Sequence, residues 1–119
     1  MDLTGRVALI TGGRRIGAVV AVALANAGAD VALVYNRSRV EADATAEAVR
    51  GLGRRATVVQ ADVSDAHACD DIIATTVREL GRLDVLVNMA SLYTAKAFAE
   101  LSADDWDRQL AIDLRASFL

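Results

Sequence analysis

The segment Thr11-Gly12-Gly13-Arg14-Arg15-Ile16-Gly17 holds the densest group of residues in this chain that could do chemistry. The apolar run Arg6–Ile10 leads into it and an apolar helical pattern leaves it. Glycines at a strand-to-helix turn let backbone approach a ligand, and the start of a helix turns N–H groups toward an anion. The chemistry is phosphate binding. A GxxxxGK[ST] loop also fits Gly12 and Gly17, but Ala18-Val19 stand where a lysine and a hydroxyl are required.

A second group is Asn36-Arg37-Ser38, followed by Arg39. A unit that holds the ribose of NAD places a carboxylate about 20 residues past the glycines. Here none occurs before Glu41. Guanidinium and hydroxyl groups suit an additional phosphate, which a carboxylate would repel. The pattern therefore predicts NADP(H) over NAD, with Arg14 or Arg15 reaching the same phosphate from the glycine loop. A third group is Asp62-Val63, and a fourth is Asn88-Met89-Ala90-Ser91. Asp62 as a phosphoacceptor would need paired acids after the first strand, where Thr11-Gly12 stand instead.

Alternating strands and helices must position these groups. Apolar runs predict strands at Arg6–Ile10, Val31–Tyr35, Ala56–Ala61 and Leu83–Asn88. Val85, Leu86 and Val87 form the continuous apolar run of a parallel strand covered on both faces. Helical spacing predicts buried faces of Ile16, Val19, Val20, Ala23, Leu24 and Ala27 in the first helix, and of Val40, Ala44, Ala48 and Leu52 in the second. The third helix carries Cys69, Ile72, Ile73, Thr76, Val77 and Leu80. Gly28, Gly53 and Gly81 close these helices, and Ser64 or Asp65 opens the third. Ser102 and Asp105 predict a capping box on a last helix, with Leu101 and Trp106 as its hydrophobic staple. The fold class is α/β: a Rossmann-type doubly wound parallel sheet of order 3-2-1-4, truncated after its fourth strand. Ligands bind such sheets at the switch point, here the loops after strands one and four.

A chain of 119 residues has room for one domain, 1–119, and 54% hydrophobic content supplies its core. A net charge of −3 without a basic face argues against nucleic acid. The lone Cys69 excludes an internal disulfide and fits a reducing cytoplasm, where it is expected as a small core residue. Five mostly polar residues precede the first strand, which predicts no secretory leader. The longest apolar run, Ala18–Ala25, is too short to cross a membrane. His67 is expected to be exposed.

Four landmarks in this order, TGGRRIG (11–17), QADVSD (60–65), VNMAS (87–91) and IDLRASFL (112–119), resemble the N-terminal half of the short-chain dehydrogenase/reductase family. The glycine loop is one residue shorter than the usual TGxxxGxG and sets Arg15 at the middle-glycine position. That arginine and Asn36-Arg37-Ser38 are similar to NADP-dependent pteridine-reductase-like members, and 3-oxoacyl-carrier-reductase-like members are also close in style. The resemblance implies a cofactor site drawn from Thr11 to Gly17 and Asn36 to Ser38, with Asp62 and Val63 at the adenine. Asn88 would tie the strand ends and line the site, and Ala90 would admit a ribose. Asp113 falls where the family has a helical Asn. The family's catalytic Ser and Tyr-x-x-x-Lys would lie beyond Leu119, so no catalytic residue is assigned within the chain. Tyr93 and Lys96 are three apart, in a loop, and are read as a decoy.

The implied activity is hydride transfer between nicotinamide and a small carbonyl or alcohol substrate, with these residues inactive alone and the full-length parent a homo-oligomer. The alternative is a non-catalytic dinucleotide-binding or sensor domain. A sheet ending at its fourth strand would leave an apolar edge and bare Trp106, Leu110, Leu114 and Phe118, predicting a marginal or self-associating domain.

Overall fold

A computed structural model describes residues 1–12 and 14–119. The elements are β1 (Val7–Thr11), α1 (Ile16–Asn26), β2 (Asp30–Tyr35), α2 (Arg39–Gly51), β3 (Ala56–Gln60), α3 (Ala66–Leu80), β4 (Val85–Asn88) and α4 (Ala103–Leu110). A π turn over Ala111–Arg115 carries α4 into a last turn, α5 (Ala116–Phe118). The strands form one parallel sheet in the order β3-β2-β1-β4, as the sequence predicts. Thr11 pairs with Val34 on one side and Asn88 on the other, so the strand ends lie level.

β1 and β2 are buried along their whole length because helices cover both faces. Val7, Leu9, Ala32 and Val34 pack with Cys69, Ile72 and Leu80 of α3. Ile10, Val31 and Leu33 pack with Ala21 and Ala25 of α1 and Ala46 and Val49 of α2. Cys69 is buried, with its thiol 3.3 Å from the Val63 carbonyl, and His67 is exposed.

Two helix faces differ from the periodicity reading. On α1 the residues turned fully inward are Gly17, Ala21 and Ala25, with Val20 and Leu24 half-buried. Ile16 and Val19 are 66% and 70% exposed, and Ala23 is exposed too. An all-apolar helix has no polar face to orient it, so backbone approach decides. A Cβ on Gly17 would stand 2.7 Å from the Gly12 carbonyl oxygen, so that close crossing requires the small-residue row. On α2 the buried face is Ala42, Thr45, Ala46 and Val49, whereas Val40, Ala44, Ala48 and Leu52 are exposed. Thr45 can be buried because its hydroxyl donates to the Glu41 carbonyl. In α3, Ile73 and Val77 sit at the margin of the core, 40% and 44% exposed.

Asp65 caps α3, its carboxylate accepting from the His67 amide, and Gly81 ends that helix at φ +90°. The capping box of Ser102 and Asp105 forms. Leu101 and Trp106, its expected staple, are 49% and 68% exposed. β4 is an edge strand, and Leu86 is half exposed rather than covered. Trp106, Leu114 and Phe118 are likewise exposed and Leu110 partly so. Among the described residues, no helix is long and apolar enough to cross a membrane.

Candidate functional site

The C-terminal ends of the four strands border one cavity of about 670 Å³. It opens at the switch point between β1 and β4. Gly12 and Arg14 reach it from the β1 turn, Asn36, Arg37 and Ser38 from the end of β2, and Asp62, Val63 and Ser64 from the end of β3. The β4 loop contributes Met89 to Tyr93, and α4 with its π turn contributes Arg108, Ala111 and Ile112.

Thr11 ties the two loops of the switch point. Its hydroxyl oxygen accepts from the amides of Met89 at 3.2 Å and Ala90 at 3.3 Å. Its side chain faces the β4 loop and lies outside the cavity lining. The tie expected of Asn88 is thus made by Thr11; Asn88 ends β4 with an exposed side chain, outside the lining. Gly12, at φ +72°, lies directly against Ala90.

Arg15 has φ 49° and ψ −99° and is the non-glycine residue with positive φ among the described residues. This is the position at which the sequence resemblance expects glycine. The amides of Gly17 and Ala18 donate to the Arg14 and Arg15 carbonyls at 3.0 and 3.1 Å. Those two N–H groups are therefore engaged inside the turn, contrary to a fully open helix start. Arg14, Arg37 and Ser38 line the cavity and carry side-chain groups able to donate to an anion. Arg15, Ile16 and Gly17 shape the turn without lining the cavity. Gly13, also a candidate, lies outside the described residues.

Asp62 accepts from the Ser64 hydroxyl at 2.6 Å and the Ser64 amide at 2.9 Å. Those bonds, with the Arg37 charge beside it, hold its carboxyl below the usual aspartate range. Asp62 is therefore an ionised acceptor at the cavity rim. Outside the cavity lining, Asp113 sits in the π turn and accepts from the Leu92 amide at 3.4 Å and from the Gln109 side chain. It pins the β4 loop to the helix. Interruptions of this kind concentrate at functional sites. Tyr93 is 90% exposed, and Lys96 donates to Asp105 at 2.7 Å, so this lysine is engaged by the capping box. Among the described residues, no cluster of three or more His, Cys, Asp or Glu side chains is arranged to hold a metal.

Periodicity missed the α4 wall. Arg108, Ala111 and Ile112 line the cavity, and on the same side Arg115 of the π turn donates to the Ser64 carbonyl at 2.8 Å. The signal available was the i, i+3, i+4, i+7 spacing of Arg108, Ala111, Ile112 and Arg115.

The sheet order and switch-point cavity define a doubly wound nucleotide-binding class of protein. Within that class, the chain belongs to the short chain dehydrogenase family, which it matches over residues 6–119. It is 39% identical over 115 residues to the short-chain dehydrogenase/reductase FrzI of a Cladobotryum species, covering 96% of this chain and 45% of that relative. It is 37% identical over 117 residues to the hydroxynaphthalene reductase arp2 of Aspergillus fumigatus, covering 98% and 43%. Among solved structures, a Burkholderia cenocepacia short chain dehydrogenase in complex with NADP is 40% identical, with a TM-score of 0.93, covering 99% of this chain and 49% of that one. The chain thus spans about half the length of the relatives it matches.

Proposed function

We propose that residues 1–119 form the NADP(H)-binding part of a single dinucleotide-binding domain in a short-chain oxidoreductase. The observation that carries this is the β2 side of the cavity, where Asn36, Arg37 and Ser38 stand without a carboxylate. A dinucleotide with an additional phosphate fits that donor set, and the NADP complex of the Burkholderia relative supports the same cofactor. When bound, the nicotinamide would exchange a hydride with a small carbonyl or alcohol substrate.

The chain's own residues bind and orient. Arg14, Arg37 and Ser38 would hold phosphate, Asp62 would accept from an adenine amino group, and the glycine loop would leave room for the pyrophosphate. Arg15 and Asn36-Arg37-Ser38 support a style close to the pteridine-reductase-like and 3-oxoacyl-carrier-reductase-like members. The buried single thiol supports a cytoplasmic setting, and the exposed α4–α5 face supports a homo-oligomeric parent. A second reading, binding without turnover, is favoured for these residues in isolation by the engagement of Lys96 with Asp105.

Fluorescence titration with NADPH and NADH tests the reading. NADPH is expected to bind about tenfold or more tightly than NADH, and Arg37→Glu to abolish the difference. Tighter binding of NADH would refute it.

A further inference from the structure

Lys96 and twelve arginines make up the thirteen basic residues of this acidic chain. Seven arginines pair with carboxylates at 2.6 to 3.9 Å. Arg115 is engaged by the Ser64 carbonyl. The other four, Arg14, Arg15, Arg37 and Arg108, have no ion-pair partner among the described residues; Arg15 shapes the β1 turn, whereas Arg14, Arg37 and Arg108 line the same cavity. Arg14 and Arg37 come from the β1 and β2 ends, whereas Arg108 comes from the α4 wall.

That wall is held in place. Arg108, Ala111, Ile112 and Arg115 share one helix face, and the bond from Arg115 to Ser64 seats the face against the β3–α3 turn. Ile112 packs into the core beneath β1 and β2. Arg108 therefore stands at the cavity as part of a fixed surface. These three guanidinium groups outnumber the single carboxylate of the lining, Asp62 beside Arg37, and leave a net positive potential in the cavity, which an anionic ligand relieves.

We propose that Arg108 is a third cationic contact for the phosphates of the bound ligand, closing the site from the α4 side. This rests on the dinucleotide reading above. A ligand with phosphate at more than one position, such as NADP(H), can draw on cations from both walls at once.

The test is NADPH titration of the 119-residue chain at low and high salt, with Arg108→Gln, Arg108→Lys and the remote Arg78→Gln as variants. Circular dichroism checks that each is folded. Arg108→Gln is expected to bind about fivefold to tenfold more weakly, with a shallower salt dependence. Arg108→Lys should recover most of the loss, and Arg78→Gln should match the parent. Unchanged affinity and salt dependence in Arg108→Gln, with a parent that binds, would overturn the role of Arg108 and leave the dinucleotide reading standing. A lysine variant as weak as the glutamine one would overturn a charge-based contact. A parent that fails to bind NADPH would overturn the dinucleotide reading itself, and the Arg108 proposal with it.

Discussion

Gly12 and Ala90 are in backbone contact: a Cβ on Gly12 would stand 2.6 Å from both the amide nitrogen and the Cα of Ala90. The turn after β1 and the loop after β4 are thus packed together where the ligand cavity begins. Gly12 also holds φ +72°, which side-chain-bearing residues rarely adopt. Gly12→Ala is expected to cost about 2–4 kcal/mol of stability and to weaken NADPH binding sharply. Urea denaturation and ligand titration of the same variant check both.

Arg15 shows the opposite case, a side chain where glycine would be easier. Its φ of 49° and ψ of −99° store strain at the head of α1. Arg15→Gly should raise stability by about 1 kcal/mol, the relieved strain exceeding the added freedom of the unfolded chain. A rise in the urea midpoint at constant slope is the expected reading. A fall would show that the Arg15 side chain contributes more than its backbone costs.

Asp30 is buried at the start of β2, where burial opposes its charge. The Arg55 amide and side chain and the Arg54 side chain donate to it at 2.9 to 3.2 Å, and their combined effect lowers its pKa below the ordinary range. A lowered folded-state pKa contributes stability that is present above the unfolded value, about 3.9, and lost as pH falls through the folded value. Asp30→Asn is expected to cost about 2 kcal/mol at neutral pH. It should also flatten the stability curve below about pH 4. Thermal melts across that range measure both.

Lys96 and Asp105 join the loop after β4 to the head of α4. The Lys96 ammonium, then the Ser102 amide and hydroxyl, bring the Asp105 pKa down to about 2. The capping box is therefore intact above the ordinary carboxylate range and lost only as pH falls through about 2. Lys96→Met should move the Asp105 titration upward, toward the ordinary value, in a carboxyl-detected NMR experiment. NADPH affinity should stay unchanged, since Lys96 lies outside the cavity lining.

Leu86 on the β4 edge and Trp106, Leu114 and Phe118 on the α4–α5 face are exposed together. The 119-residue chain is expected to self-associate, with sedimentation that depends on concentration. Leu86→Lys should reduce this association. A monodisperse monomer at all concentrations would contradict it.

The sequence by itself determined what local chemistry can specify. The fully apolar runs of β1 and β2 marked strands covered on both faces. Asp65, Gly81 and the Ser102–Asp105 pair marked helix ends through hydrogen bonds that span only a few residues. The strand order followed from right-handed crossovers, and the switch point followed from the order. Tertiary structure alone decided which way α1 and α2 face, because alanine-rich helices carry no strong periodic signal and backbone approach selects the row of smallest residues. It also decided that Thr11, rather than Asn88, ties the two loops. Arg108 shares the cavity lining with Asp62, Val63 and Ser64, more than forty positions away, and the Arg115–Ser64 bond spans 51; local spacing can mark that helix face but not what it meets.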